Sequence, residues 1–127
     1  HMLVSMDEVR EMSREGRGVL VDVRSSERFR GEMETLDPVA GHIPGARNYP
    51  WENNVDANGF YRGADELRAM HRDLAGEPDL VVYCGSGVTA CSTLLALERA
   101  GIRGARLYLG GWSEWCRQPE NPIATGE

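Results

Sequence analysis

Apolar and polar residues change period several times along the chain, and each change marks a predicted element. Residues 5–14 carry Met6, Val9 and Met12 at helical spacing, and Ser5 followed by Glu8 is a capping-box pattern, so a helix is predicted there. Leu3 and Val4 before it read as a short edge strand. The run 19–23 is apolar apart from Asp22 and lies between Gly16, Gly18 and the pair Ser25, Ser26, which predicts a buried parallel strand. Ser26 is placed to cap a short helix through Arg30. Residues 31–43 carry acids, Pro38 and Gly41 and read as a long loop, a length often associated with function. Residues 46–49 read as a further short strand, followed by an irregular stretch in which Asn54, Asp56, Asn58 and Gly59 mark turns.

The second half repeats the alternation. Residues 65–75 form a predicted amphipathic helix with Leu67, Met70 and Leu74 on one face. Residues 80–83 form a strand that ends at Cys84. A third long helix is expected over 88–100, with Val88, Cys91, Leu94, Leu95 and Leu97 as its apolar stripe and Gly101 as its stop. Residues 106–109 supply the last strand, and 110–116 a turn into a short helix. Helices alternating with strands predict an α/β domain: a mostly parallel central sheet with helices on both faces and ligands at the carboxyl ends of the strands.

The chain of 127 residues is the length of one domain. His1 and Met2 read as a cloning remnant, leaving residues 3–127 as the domain. Apolar content is 41% and charged content 27%, and no apolar run reaches the roughly 20 residues of a membrane helix. The expectation is a soluble, cytoplasmic protein with no membrane partner. A net charge of −6 argues against a nucleic-acid partner, which calls for clustered cations. All 14 basic residues are arginine, so neither a Schiff-base lysine nor a P-loop lysine is available. The three cysteines, Cys84, Cys91 and Cys116, lack metal-site spacing and are odd in number. Neither a bound metal nor a cofactor is expected.

The chemistry concentrates at Cys84. In YCGSGVTACSTLLAL a strand, a tight turn over 84–89 and a helix follow one another, which sets the cysteine over a helix N-terminus. Gly85 and Gly87 let the backbone curl, so that the amides of Gly85, Ser86, Gly87, Val88 and Thr89 form an anion cradle. Such a cradle, with the helix dipole behind it, favours a thiolate over a thiol and stabilises a terminal persulfide or a bound oxyanion. A cysteine after a buried strand is ordinarily a small core residue. The flanking glycines and the helix start favour a reactive thiol instead.

CGSGVTA, GHIPGA (residues 41–46) and GGWSEW (residues 110–115), in that order, resemble the rhodanese superfamily, and the resemblance extends over residues 3–126. It is nearest to the C-terminal catalytic half of tandem-domain 3-mercaptopyruvate and thiosulfate sulfurtransferases, including the run RFRGEMETLDPVAGHIPGARN. The loop CGSGVT is the form associated with 3-mercaptopyruvate as donor. The resemblance implies a rhodanese-like three-layer fold and a two-step transfer through a Cys84 persulfide. Sulfur leaves a small-molecule donor and is collected by a thiol, by reduced thioredoxin or by cyanide. By the same resemblance Ser86 bonds the donor's carbonyl or carboxylate, Thr89 sits beside the sulfur, and Arg28 pairs with the donor's carboxylate, a task suited to its planar fork. A rhodanese-like N-terminal domain, absent from this chain, is an implied partner. One departure is Asp37, which stands where some mercaptopyruvate-using relatives carry a second arginine.

Alternatives stay open at this level. Thiosulfate is the competing donor, and a persulfide carrier with little turnover is the competing role. A cysteine phosphatase of the C-x5-R type is disfavoured because position 90 is Ala90. Other candidates have structural readings: His42 braces a turn, His71 is solvated on its helix, and Asp22 with Arg24 braces the Cys84 loop. Cys91 is expected in the core, Trp112 and Trp115 pack, and Cys116 is expected to be exposed and oxidisable.

Overall fold

The structure, a computed structural model, describes residues 2–85 and 88–127. Its elements run α1 (Met6–Glu15), β1 (Val19–Asp22), α2 (Ser26–Arg30), β2 (Arg47–Asn48), α3 (Ala64–Met70), β3 (Leu80–Tyr83), α4 (Val88–Arg99), β4 (Arg106–Leu107) and α5 (Gly111–Trp115). Single 3-10 turns at Trp51–Asn54 and Arg72–Leu74 complete the sequence. The four strands are all parallel, in the order β2-β1-β3-β4.

Strand alternation explains the layers. A strand sends successive side chains to opposite faces. Val19 and Val21 of β1, with Leu80 and Val82 of β3, pack against Leu67 of α3 and Ala96 and Leu97 of α4. Their neighbours Leu20, Val81 and Tyr83 pack on the other face against Val9 and Met12 of α1 and Trp112 and Trp115 of α5. Both central strands are buried along their whole length, as expected for parallel strands covered on both sides. The three-layer α/β fold is therefore the one the alternation predicts.

Several local expectations hold and several are corrected. Ser5 caps α1, its Oγ accepting from the Glu8 amide at 3.2 Å. The cap of α2 is Ser25 rather than Ser26: its hydroxyl accepts from the Arg28 amide at 3.4 Å, while Ser26 Oγ meets Asn48 Oδ1 at 2.9 Å. The helix expected over 65–75 ends at Met70, and the 3-10 turn Arg72–Leu74 delivers Leu74 to the core. The apolar stripe expected on α4 holds for Leu97, which is buried, and Leu94, which packs against the core, and fails at its other three positions. Val88, Cys91 and Leu95 are exposed, and the buried face consists of Ala90, Thr93, Ala96 and Leu97. Small residues let α4 sit close to the sheet, a preference that counting large apolar residues overlooks.

Two further corrections concern polar groups. His71 is buried rather than solvated, its Nε2–H donating to Asn54 Oδ1 at 2.7 Å, and Asn54 Nδ2 in turn donates to Thr93 Oγ1 at 3.3 Å. Burial lowers the His71 pKa from its usual 6.5. Cys116 is buried rather than exposed, and burial raises its thiol pKa. Among the described residues no helix is long and apolar enough to cross a membrane, and no group of His, Cys, Asp and Glu is arranged to hold a metal.

Candidate active site

In a parallel sheet all strand carboxyl ends share one edge, so the segments that leave them converge. Asp22 ends β1 directly beside Tyr83, which ends β3. Cys84 follows Tyr83, the segment 23–28 follows Asp22, and Leu109 to Ser113 follow β4. Two hydrogen bonds join the last of these segments to the cysteine segment. The Trp112 amide donates to the Cys84 carbonyl at 2.8 Å, and the Ser113 amide donates to the Gly85 carbonyl at 2.9 Å. Gly111 makes this possible, with φ +60 and a position where an added Cβ would strike the Cys84 carbonyl oxygen and come within 2.7 Å of that of Gly85.

Between these segments lies an open cavity of about 340 Å³. Cys84, Gly85, Val88 and Thr89 line one side of it, and Arg24 and Arg28 line another. Leu36, Asp37, Trp51, Glu52 and Ser113 complete the wall. Cys84 lines the cavity although it is only 2% exposed, and it also belongs to the apolar core cluster of Val82 and Ala90. Arg28 reaches toward the cysteine loop: its two terminal nitrogens lie 3.7 Å from the place a Cβ on Gly85 would occupy. The structure thus places Cys84, Gly85, Val88, Thr89 and Arg28 around one cavity. Ser86 and Gly87, predicted to bind donor and complete the cradle, lie outside the described residues.

Behind the cavity is an ionic framework that sequence reasoning found only in part. Asp22 receives three hydrogen bonds from the Arg24 side chain, between 2.7 and 3.2 Å, and one from its amide at 2.9 Å. Arg24 Nη2 also donates to the Gly41 carbonyl at 2.6 Å, and its guanidinium stacks 5.0 Å from the Trp112 ring centroid. Burial works against the Arg24 charge, but the hydrogen bonds and charge of Asp22 outweigh it and raise its pKa. The pair therefore braces the 41–43 turn and the Trp112 segment. His42 is a brace too: buried, it stacks on Phe29 at 3.7 Å and donates from Nδ1 to the Phe29 carbonyl at 2.6 Å.

Two participants had no sequence signal. Glu34 accepts from Arg28 Nη2 at 3.0 Å and from the amides of Leu36 and Asp37 at 3.1 and 3.0 Å, and it lies 3.7 Å from Arg24. Burial would raise its pKa, yet these amides and Arg28 lower it. Arg117 donates to Asp37 Oδ1 at 3.0 Å across 80 residues of sequence, while Asp37 Oδ2 accepts from Arg28 at 3.4 Å. A long loop and an isolated arginine carry no periodicity that would pair them.

Sequence and fold both match known proteins. The family model described as "Rhodanese-like domain" matches residues 5–118. A Pseudomonas aeruginosa protein named "Probable 3-mercaptopyruvate sulfurtransferase" is 49% identical over 111 residues, which is 85% of this chain and 39% of that protein. "Sulfur carrier protein TtuD" of Thermus thermophilus is 38% identical over 124 residues, 90% of this chain and 44% of that protein. The chain thus spans about two fifths of the length of these relatives. Among solved structures, EanB with ergothioneine covalently linked to a persulfide cysteine superposes with a TM-score of 0.86 at 29% identity, covering 99% of this chain and 32% of that one. With a matching family model over residues 5–118 and the parallel four-stranded sheet beneath it, the chain belongs to the rhodanese-like domain family.

Proposed function

We propose that the domain is a sulfurtransferase that moves sulfur from 3-mercaptopyruvate to a thiol or cyanide through a persulfide on Cys84. The observation that carries this reading is the shared cavity at the carboxyl ends of β1 and β3, where a cysteine, Thr89 and an arginine fork face one small volume. The names of the sequence relatives support it, and the persulfide cysteine of EanB supports the intermediate.

In the first step the Cys84 thiolate attacks the donor's sulfur. The donor's C–S bond breaks, its electrons form the enolate of pyruvate, and that enolate takes a proton from solvent. Backbone amides of the turn that follows Cys84 hold the negative charge on the thiolate before attack and on the persulfide after it. Arg28 pairs with the donor carboxylate, Ser86 bonds its carbonyl or carboxylate, and Thr89 flanks the sulfur. In the second step an acceptor thiolate attacks the outer sulfur of the persulfide, the S–S bond breaks, and Cys84 leaves as thiolate. In this reading reduced thioredoxin is an acceptor and a rhodanese-like N-terminal domain is a partner.

A persulfide carrier with little turnover is the second reading. It is favoured by the occupation of Arg28 by Glu34 and Asp37 and by the carrier name of the Thermus relative. Intact-protein mass spectrometry after mixing with 3-mercaptopyruvate tests the proposal. A gain of one sulfur atom on the wild type and none on Cys84→Ser is expected; no gain, or an equal gain on Cys84→Ser, refutes it. Faster loading from thiosulfate would reverse the choice of donor. A single stoichiometric burst with excess thiol acceptor would assign the carrier role.

A further inference from the structure

We infer that Asp37 is a specificity-determining residue: an internal carboxylate that competes with an anionic donor for Arg28 and is passed to Arg117 when the donor binds. The inference rests on the sulfurtransferase reading for the identity of the donor, but its basis is the charge pattern around the cavity.

Ion pairs connect three arginines and three carboxylates into one network. Arg24 holds Asp22 at 2.7 Å and lies 3.7 Å from Glu34; Arg28 holds Glu34 at 3.0 Å and Asp37 at 3.4 Å; Arg117 holds Asp37 at 3.0 Å. The formal charges cancel, and Glu52 on the cavity wall adds a further negative charge. An arriving anion therefore meets no surplus positive charge unless one carboxylate lets go.

The three carboxylates differ in how firmly they are held. Asp22 is gripped by the amide and the guanidinium of Arg24. Glu34 is fixed by two backbone amides as well as by Arg28. Asp37 has the longest contact with Arg28, and its other oxygen already rests on Arg117. It is also 97% buried at the side chain, so losing Arg28 without another cation would leave a costly unpaired charge. Arg117 supplies that cation. It is half exposed and anchored to the Ser113 carbonyl, on the segment bonded to the cysteine loop. Arg28 also retains a buried Nε with no hydrogen-bond partner among the described residues, so its donors are not all spent on Glu34 and Asp37.

Such a competitor weakens every donor that needs Arg28, and its effect falls on binding more than on the saturated rate. The decisive comparison uses Asp37→Asn, Arg117→Gln and the double variant, with Asp37→Ser as a second removal of the charge. Two quantities are measured in each: the 3-mercaptopyruvate concentration that half-saturates Cys84 persulfide formation, and the Kd for pyruvate by NMR titration, which needs no sulfur chemistry. Asp37→Asn is expected to lower both by about three- to tenfold, in the range of one ordinary intramolecular hydrogen bond. Arg117→Gln is expected to raise both by about threefold in the wild type and by much less in the Asp37→Asn background. Unchanged or weaker pyruvate binding in both Asp37 variants overturns the inference, as does an Arg117 effect independent of Asp37. Tighter pyruvate binding in a protein that never forms a persulfide would retain the competitor and reject the sulfurtransferase reading.

Discussion

The Trp112 amide and the Cys84 carbonyl are joined by a 2.8 Å hydrogen bond, which ties the segment after β4 to the cysteine that follows β3. The contact depends on backbone approaching backbone, and Gly111 between the two segments is what permits it.

Gly111→Ala is therefore expected to be far more damaging than a one-carbon change suggests. The residue has φ +60, and its new methyl would meet both carbonyl oxygens of the cysteine loop. Strain and overpacking together should cost about 3 kcal/mol, read from urea denaturation, and Cys84 should load sulfur poorly even where the protein folds. A stable, normally loading variant would show that the two segments move apart freely.

Arg24→Ala should destabilise strongly, by about 3–5 kcal/mol, because it leaves the fully buried Asp22 charge without its cation. Arg24→Lys should recover only part of this, since an ammonium cannot reproduce the paired contacts to Asp22 and the bond to Gly41. Full recovery by lysine in thermal melts would reduce the site to simple charge balance.

His71 predicts an acid-sensitive limb of stability. Its folded pKa lies below the ordinary 6.5 because burial penalises the charged ring, so below about pH 6.5 the unfolded chain binds more protons than the folded one. The stability contributed by neutral His71 is complete above that pH and declines as pH falls toward the lowered folded value. Unfolding free energies at about pH 7.5 and about pH 5.5 should differ less in His71→Gln than in the wild type. An identical difference would move the acid sensitivity elsewhere.

Cys91 should react before Cys116 with a maleimide under native conditions. The first is exposed on α4, whereas the second is buried with a raised thiol pKa. Peptide mapping resolves the order, and Cys91→Ser should leave Cys84 persulfide formation unchanged. Faster labelling at Cys116 would mean that the α5 end opens readily.

How much of this was legible follows from how local each signal is. The strand at Leu80–Tyr83 and the helix begun by Ser5 announce themselves through neighbouring residues, and the loop CGSGVT marks the candidate site through its glycine spacing. The face of α4 was misread because its contacts favour Ala90 and Ala96 over the larger Val88 and Leu95, a choice made by the closeness of the sheet. The burial of His71 depended on Asn54, 17 positions away, and on Thr93 beyond it.

By itself the sequence determined the alternation of elements, and hence the parallel sheet, along with the place of Cys84 at a strand's carboxyl end. These follow from hydrophobic periods and backbone preferences that act over a few residues. Only tertiary structure decided that Arg28 would face Glu34 and Asp37, and that Arg117 would reach back to Asp37. Charges attract regardless of chain position, so which ones meet is fixed by where the packed sheet edge delivers its loops.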